Sequence, residues 1–201
     1  GSGAGPSMTP DTLPKTSVSS LLGFRTGPSG THAARTMMLA DLATLFEHTP
    51  ADAAPEDYAA AIVTRNVLGK PSRKARELAL KHLRALYGLD PETPIFRALR
   101  RLWPVSLESQ PLLALTAALA RDPLLRGTFP FMEGKPLGAQ VDRPQMEEYL
   151  ARLLPDRLGP ASRKSTAQNV LATWTWAGFF TPGRHRVRSA PPASPEAVAL
   201  A

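Results

Sequence analysis

Two runs of polar and basic residues between positions 160 and 190 carry the side chains best suited to contact a nucleic acid. The first lies on a segment with apolar residues at helical spacing, and the opposite face of that helix would present Arg163, Lys164, Ser165, Gln168 and Asn169. Gln and Asn amides can pair with adenine edges through two hydrogen bonds, and Lys and Arg can contact phosphate or guanine. This combination is typical of a DNA recognition helix.

The second run adds positive charge after that helix. Arg184, Arg186 and Arg188 alternate with other residues, so a strand would place their side chains on one face. Three guanidinium groups on one face can follow a phosphate backbone or enter a minor groove. A helix N-terminus at Ser165 and Thr166 would also offer free backbone N–H groups to a phosphate.

The elements that must position these residues follow one another closely. The sequence predicts an amphipathic helix over 144–154, a turn over 155–161, a helix from Ser162 or Ser165 to about Ala177, and a hairpin over 179–189. The inward side of the second helix is apolar and consists of Ala167, Val170, Leu171, Trp174 and Ala177. This order predicts a winged helix-turn-helix-like domain with a short β-hairpin over residues 143–189.

The chain before this domain predicts a mainly α fold. Six helices are expected: over 32–48, from Pro55 onward, over 73–87, over 94–103, over 107–120, and from Asp122 to about Phe131. Thr31 would cap the first, Ser72 and Gly88 would bound the third, and the helix over 107–120 is expected to be buried. We therefore expect a helical bundle over 29–132 and a linker over 133–142. Residues 1–28 are expected to be an expression scar (Gly1–Met8) and an extended segment, and residues 190–201 a disordered tail.

Charge is distributed in blocks along the chain. The formal net charge is +7. Residues 65–101 hold ten lysines and arginines against three acidic residues, and residues 157–188 hold six against none. Such bias is the expected footprint of a surface that binds a polyanion.

Several other function classes lack their characteristic residues. The chain has no cysteine, and its four histidines show no i, i+4 pair, which argues against thiolate and zinc chemistry. The glycines at 23, 27 and 30 lack the Lys-Ser/Thr ending of a phosphate-binding loop. No uncharged apolar run reaches the length of a membrane helix, and no signal peptide is apparent. We therefore expect a cytoplasmic protein with no catalytic residue, metal or cofactor and with no membrane partner.

The sequence also resembles a known family, through three separate motifs. The run Arg65–Arg76 with Leu83–Leu86, the segment Asp122–Phe129, and Ser162–Thr166 with Leu171–Phe180 are similar in order and spacing to motifs of the BrxA family of BREX phage-defence systems. The resemblance covers roughly residues 15–188. It departs from the family pattern at Gly69–Pro71 and in the Pro/Ala-rich tail.

This resemblance implies a non-enzymatic, double-stranded DNA-binding component of a bacterial BREX phage-defence system. It also implies partners, namely the methyltransferase, ATPase and phosphatase-like proteins of such a system. Because helix 73–87 matches a family motif and is basic, Arg73, Lys74 and Lys81 become further candidates for phosphate contact.

Other functions stay open from the sequence. A protein–protein adaptor within the defence complex would depend on exposed apolar residues such as Trp176 and Phe131 rather than on the arginines. A helical-bundle RNA binder and an enzyme are further alternatives. Basic residues on ordinary solvated helix faces would produce the same charge blocks without any ligand.

Overall fold

The computed structural model describes residues 17–27, 30–183, 185–192 and 194–201. These ranges are mainly helical, as predicted, with one small antiparallel sheet near the C-terminal end. The elements before residue 122 are α1 (Val18–Leu21), a 3-10 turn (Thr31–Ala33), α2 (Leu39–Glu47), α3 (Pro55–Ala59) with a π-helical extension (Ala60–Thr64), α4 (Arg73–Tyr87), α5 (Pro94–Leu102) and α6 (Gln110–Arg121). Those that follow are α7 (Pro123–Gly127), α8 (Phe129–Glu133), β1 (Gln140–Val141), α9 (Arg143–Leu153), α10 (Pro160–Trp176), β2 (Arg186–Val187) and α11 (Pro195–Leu200).

α6 lies at the centre of the helical packing. It contacts α4, α5, α7, α10 and α11. Half of its residues are buried, and four of them, Ala114, Ala117, Ala118 and Ala120, have small side chains that let neighbouring helices approach closely. A helix that is apolar around most of its circumference must be covered on most sides. The prediction of a buried central helix is therefore confirmed.

α4 begins and ends at the residues that the sequence predicts. The Ser72 hydroxyl accepts a hydrogen bond from the Ala75 N–H at 3.1 Å, which caps the first turn. Gly88 then takes a φ of +94°, a conformation that glycine adopts without a Cβ penalty. These two local signals fix the length of the basic helix.

Residues 31–38 do not form the first turns of a helix, so the predicted helix 32–48 is wrong in its first half. A 3-10 turn is followed by irregular chain, and α2 begins only at Leu39 after Met38 in the left-handed region, at a φ of +52°. Side chains from distant helices form hydrogen bonds with this backbone instead. The Thr173 hydroxyl accepts from the Met37 N–H at 3.0 Å, and the Tyr87 hydroxyl donates to the Met37 carbonyl.

Two further helix boundaries differ from those predicted. α10 begins at Pro160 after Gly159, because proline favours the first helical position, so Ser162 and Ser165 lie inside the helix rather than capping it. The single short helix predicted after Asp122 is divided into α7 and α8 at Thr128. At this junction the Thr128 hydroxyl donates to the Leu125 carbonyl and accepts from the Trp174 indole N–H.

The small sheet joins the predicted linker to the predicted hairpin. β1 pairs antiparallel with β2, with Gln140 opposite Val187 and Val141 opposite Arg186. Phe180 forms a further antiparallel bridge with Arg188, on the other side of β2. The segment 133–142 therefore contributes a strand, and buried side chains from both sides of it belong to one hydrophobic cluster.

The tail predicted to be disordered contains a helix. The Ser194 hydroxyl caps α11 by accepting from the Ala197 N–H at 3.1 Å. Glu196 accepts a 2.8 Å hydrogen bond from the Ser109 hydroxyl, and Leu200 is buried where α11 packs on α5 and α6. Residues 195–200 are thus held in place by both a polar and an apolar contact. Among the described residues, no helix is long and apolar enough to span a membrane.

Candidate nucleic-acid interface

The outer face of α10 presents some of the predicted contact residues to solvent. The apolar side of the helix is buried at all five predicted positions, which leaves Lys164, Ser165 and Gln168 exposed on the opposite side. These three residues span about one helical turn, the length that a recognition helix presents to a few base pairs. Their exposure agrees with the prediction that this face is available for contact.

Three other predicted residues of α10 are occupied by the protein itself. The Asn169 amide donates to the His32 carbonyl at 3.1 Å, and the half-buried Arg163 guanidinium donates to the Leu158 carbonyl at 3.1 Å. Thr166 is fully buried. Because α10 begins at Pro160, the N–H groups that precede its first helical hydrogen bond belong to Ala161 and Ser162. The expectation of free N–H groups at Ser165 and Thr166 is therefore wrong.

The predicted row of strand arginines also has structural contacts. Arg188 lies over the Phe179 ring at 5.4 Å and donates to the carbonyls of Met132, Phe179 and Ser189. Arg186 donates to the Thr175 hydroxyl at 3.2 Å. Arg184 lies outside the described residues. Since Arg188 joins the strand to α8, reversing its charge would disturb the fold and could not by itself test nucleic-acid binding.

α4 carries the more accessible positive charge. Arg73 forms an exposed salt bridge with Glu77, four residues along the same helix, with Nε and Oε1 2.8 Å apart. Lys74 and Lys81 are exposed and make no salt bridge within the part of the chain that the structure describes. Two of the three candidates on this helix are thus free to meet an anion.

Further cations, which the sequence analysis does not single out, surround Lys81. Two shallow surface cavities of about 290 and 480 Å³ share Arg25, Lys81 and Ala85 in their linings. We call the lysine and the arginines of these linings the α4 cation cluster: Arg25, Lys81, Arg84 and Arg121, with His82 beside them. The acidic residue in the linings is Glu77, which is already paired with Arg73. The cluster therefore has a strongly positive surface.

Burial lowers the pKa values of His82, beside the cluster, and of Arg121, within it, and nearby positive charges lower them further. Burial, together with the charges of Arg35 and Lys81, lowers the pKa of His82, which favours the neutral imidazole at neutral pH. Burial and the charge of Arg25 lower the pKa of Arg121 to about 10. Arg121 still carries a proton at neutral pH, and it donates to the carbonyls of Gly23, Arg84 and Ala85, so its charge is fixed beneath the surface.

A buried polar network ties residues 30–38 to α7 and α10. Asp122 Oδ2 accepts from the His32 ring Nδ1 at 2.7 Å and from the His32 backbone N–H at 3.0 Å, and Oδ1 accepts from the Leu125 N–H at 3.0 Å. On the other side of the ring, His32 Nε2 lies 2.8 Å from the Thr173 hydroxyl. Gly30 is required beside this network, because a Cβ there would lie 1.8 Å from Asp122 Oδ1.

The order Thr173–His32–Asp122 resembles the hydroxyl, base and acid of a nucleophilic triad. All three side chains are almost completely buried, however, and no substrate can reach the hydroxyl in this conformation. Sequence analysis predicts the cap that Asp122 provides for α7, but it offers no signal for His32, which is 90 residues away. We therefore assign the network to the positioning of α10.

Acid should weaken this network. Burial acts to raise the pKa of Asp122, but the hydrogen bonds and charge of His32 and the backbone N–H groups outweigh it, so the net pKa lies below 3.8. The Asp122 carboxylate therefore contributes its full stabilisation at pH values above its unfolded-state pKa. This stabilisation is lost as the pH falls through its folded-state pKa. We expect the difference in unfolding free energy between the wild type and Asp122→Asn to shrink below about pH 4. Urea unfolding at several pH values measures it, and a pH-independent difference would contradict this assignment.

The two apolar residues considered for an adaptor differ in exposure. Trp176, at the C-terminal end of α10, is 48% exposed. Phe131 is instead buried against Tyr149, with ring centroids 5.3 Å apart, so its predicted exposure is wrong. Among the described residues, no group of histidine, aspartate and glutamate side chains is arranged to hold a metal ion.

Comparisons with protein families, with curated proteins and with solved structures find no match for this chain. Functional assignment therefore depends on the geometry and charge of the surface described above.

Proposed function

We propose that this protein is a non-enzymatic, double-stranded DNA-binding protein. The observation that carries the proposal is the α4 cation cluster, whose positive charges have no free acidic partner among the described residues. A DNA duplex is a dense linear array of phosphates, and such a cluster gains affinity by releasing the counterions that surround it. α10 contributes Lys164, Ser165 and Gln168 for contacts to base edges or phosphates.

The order of elements supports a winged helix-turn-helix reading of the C-terminal region. β1 precedes α9, α10 packs directly on α9, and the chain then returns so that β2 pairs with β1, while Phe180 bridges Arg188 just after β2. In DNA-binding proteins of the helix-turn-helix class, the second helix enters the major groove. α10 would take this role, and the contacts of Arg186 and Arg188 would hold the wing in place.

Fluorescence anisotropy with a labelled duplex of about two helical turns tests this proposal. We expect the logarithm of the association constant to fall linearly with the logarithm of salt concentration, with a slope of about −0.9 for each phosphate contacted. Competition with duplex RNA and with single-stranded DNA tests preference for duplex DNA. Absence of binding at about 50 mM salt would contradict the proposal.

The resemblance to the BrxA family extends the proposal to a cellular role. It supports a place in a BREX phage-defence system, beside the methyltransferase, ATPase and phosphatase-like proteins of that system. Co-purification of the tagged protein from cells that express all of these components tests it. Recovery of the tagged protein without any of them would remove this part of the proposal and leave the DNA-binding part unaffected.

A protein–protein adaptor is the second candidate, and one observation favours it. α1 and the residues after it expose a group of large apolar side chains, namely Val18, Leu21, Leu22 and Phe24. Contiguous apolar patches on monomeric proteins often mark interaction sites. An adaptor would lose its partner on substitution of these residues, whereas duplex affinity would stay unchanged.

A further inference from the structure

A further cavity, separate from the two of the α4 cation cluster, lies where residues 35–41, α4 and the end of α10 meet. Its volume is about 410 Å³, which falls within the range of small-molecule sites. Its apolar lining includes Met38, Leu39, Ala75, Ala79 and Trp176. Its polar lining consists of Arg35, Thr36, Asp41 and Lys70.

Trp176 gives this cavity an open aromatic wall. The chain has three tryptophans, and the other two, Trp103 and Trp174, are 6% and 0% exposed. Trp176 is 48% exposed. An exposed indole beside a cavity provides a face on which a planar ring can stack, and every nucleobase has such a face.

The charges of the cavity fit an anion on one side and a polar ring edge on the other. Arg35 is exposed, and its guanidinium donates to the carbonyl of its neighbour Ala34 at 3.0 Å, which leaves most of its donors free. Lys70 and Asp41 form a partly buried ion pair, with Lys70 Nζ 2.8 and 2.9 Å from the carboxylate oxygens. Because Asp41 is already neutralised by Lys70, Arg35 is the charge available to a phosphate.

The backbone of this cavity is held in one conformation. Met38 has a φ of +52°, which is uncommon for a residue with a long side chain. The contacts of Met37 with Thr173 and Tyr87 on one side, and of the Met38 N–H with the Thr36 hydroxyl on the other, maintain it. A cavity built on such a fixed segment needs little rearrangement on binding, which favours affinity.

We propose that this cavity binds a nucleotide, with the base stacked on Trp176 and a phosphate held by Arg35. The nucleotide is either free in solution or an unpaired nucleotide of a nucleic-acid strand, since both present the same base and phosphate. The Asp41–Lys70 pair lies on the wall where base-edge or sugar hydroxyl groups would meet it. This site does not depend on duplex binding by the α4 cation cluster.

Tryptophan fluorescence tests the stacking directly, because Trp176 is the tryptophan with a half-exposed indole. We expect adenosine or guanosine monophosphate to quench the wild-type emission in a saturable way. Trp176→Ala removes the stacking of one base. We therefore expect the nucleotide dissociation constant, measured by calorimetry, to rise roughly 5- to 150-fold. Trp176→Phe retains an aromatic ring and should bind more tightly than Trp176→Ala, which separates stacking from a folding defect.

Arg35→Ala tests the phosphate contact. We expect it to lower affinity for the monophosphate while leaving the weaker affinity for the uncharged nucleoside unchanged. Phe129→Ala and Arg65→Ala are the matched controls, because they remove an exposed aromatic ring and an exposed arginine that do not line this cavity. Equal affinity of the wild type for nucleoside and monophosphate would overturn the role of Arg35.

The source of the nucleotide is decided by a second pair of ligands. Binding of free monophosphates supports a soluble ligand. Tighter binding of a duplex with one unpaired base than of the fully paired duplex, lost in Trp176→Ala, supports a strand nucleotide. If neither ligand responds to Trp176→Ala, the proposal is overturned. The affinity of the same variants for a fully paired duplex is measured alongside. Retained duplex binding then shows that the nucleotide proposal alone has failed, so its failure is distinguishable from failure of the proposed DNA-binding function.

Discussion

Replacing Asp122 by alanine is expected to lower the free energy of unfolding by about 3–5 kcal/mol, because three buried donors lose their acceptor at about 1–3 kcal/mol each. The carboxylate accepts three hydrogen bonds, two from His32 and one from Leu125, in surroundings that exclude water. Without it, these donors are buried with no acceptor, and each unsatisfied group adds its desolvation penalty. Urea unfolding at neutral pH, followed by circular dichroism, measures the loss.

Asp52→Ala is the matched control for this substitution. Asp52 is exposed in the turn after α2 and forms none of the salt bridges found among the described residues, so its removal should change stability by less than about 0.5 kcal/mol. His32→Ala, which removes the opposite side of the same interaction, should resemble Asp122→Ala. A loss below about 1 kcal/mol in both network variants would show that the network contributes little to the fold.

Reversing the charge of Lys81 and Arg84 together is expected to produce the largest loss of duplex affinity. Both side chains are exposed, and both line the larger cavity of the α4 cation cluster. If each contacts one phosphate, the double variant Lys81→Glu/Arg84→Glu should lower the magnitude of the salt slope by about 2 and weaken binding at least tenfold at about 100 mM salt. Anisotropy titrations at several salt concentrations measure both quantities.

The control for this double variant has the same net charge. Arg65→Glu/Arg101→Glu reverses two exposed arginines that do not line the α4 cation cluster. A similar loss in both double variants would indicate that net charge alone governs binding, and would remove the assignment to this surface. Gln168→Ala on α10 provides a further contrast, because an uncharged side chain should alter preference among sequences while the salt slope stays the same.

The elements predicted correctly are those with complete local signals. Ser72 and Gly88 bound α4, and the capping box of Asp142 and Gln145 starts α9 beside the predicted boundary. Residues 31–38 fail because their backbone is bound by Thr173 and Tyr87, whose proximity no local pattern reveals. α11 was missed because a short Pro/Ala-rich segment becomes helical only when Leu200 is buried on α5 and α6.

The residues of the candidate site also divide into those that local sequence patterns place correctly and those that depend on distant contacts. Helical periodicity is enough to place Lys164 and Gln168 outside and Trp174 inside. It does not reveal that Arg188 donates to the Met132 carbonyl of α8, since that contact joins residues 56 positions apart. The α4 cation cluster also escapes sequence analysis, because Arg25 and Arg121 reach Lys81 only through the packing of three separate segments.

The His32–Asp122–Thr173 network has a consequence for how the chain folds during its synthesis. The ring nitrogens of His32 have both partners only after Asp122 and Thr173 have been synthesised. These residues lie 90 and 141 positions after His32. At roughly 5–20 residues per second, a ribosome reaches Thr173 about 7–28 s after His32. Until then the backbone around Met37 lacks its hydrogen-bond partner on α10. Nascent chains that end before α10 should therefore depend on chaperones more than the finished protein does.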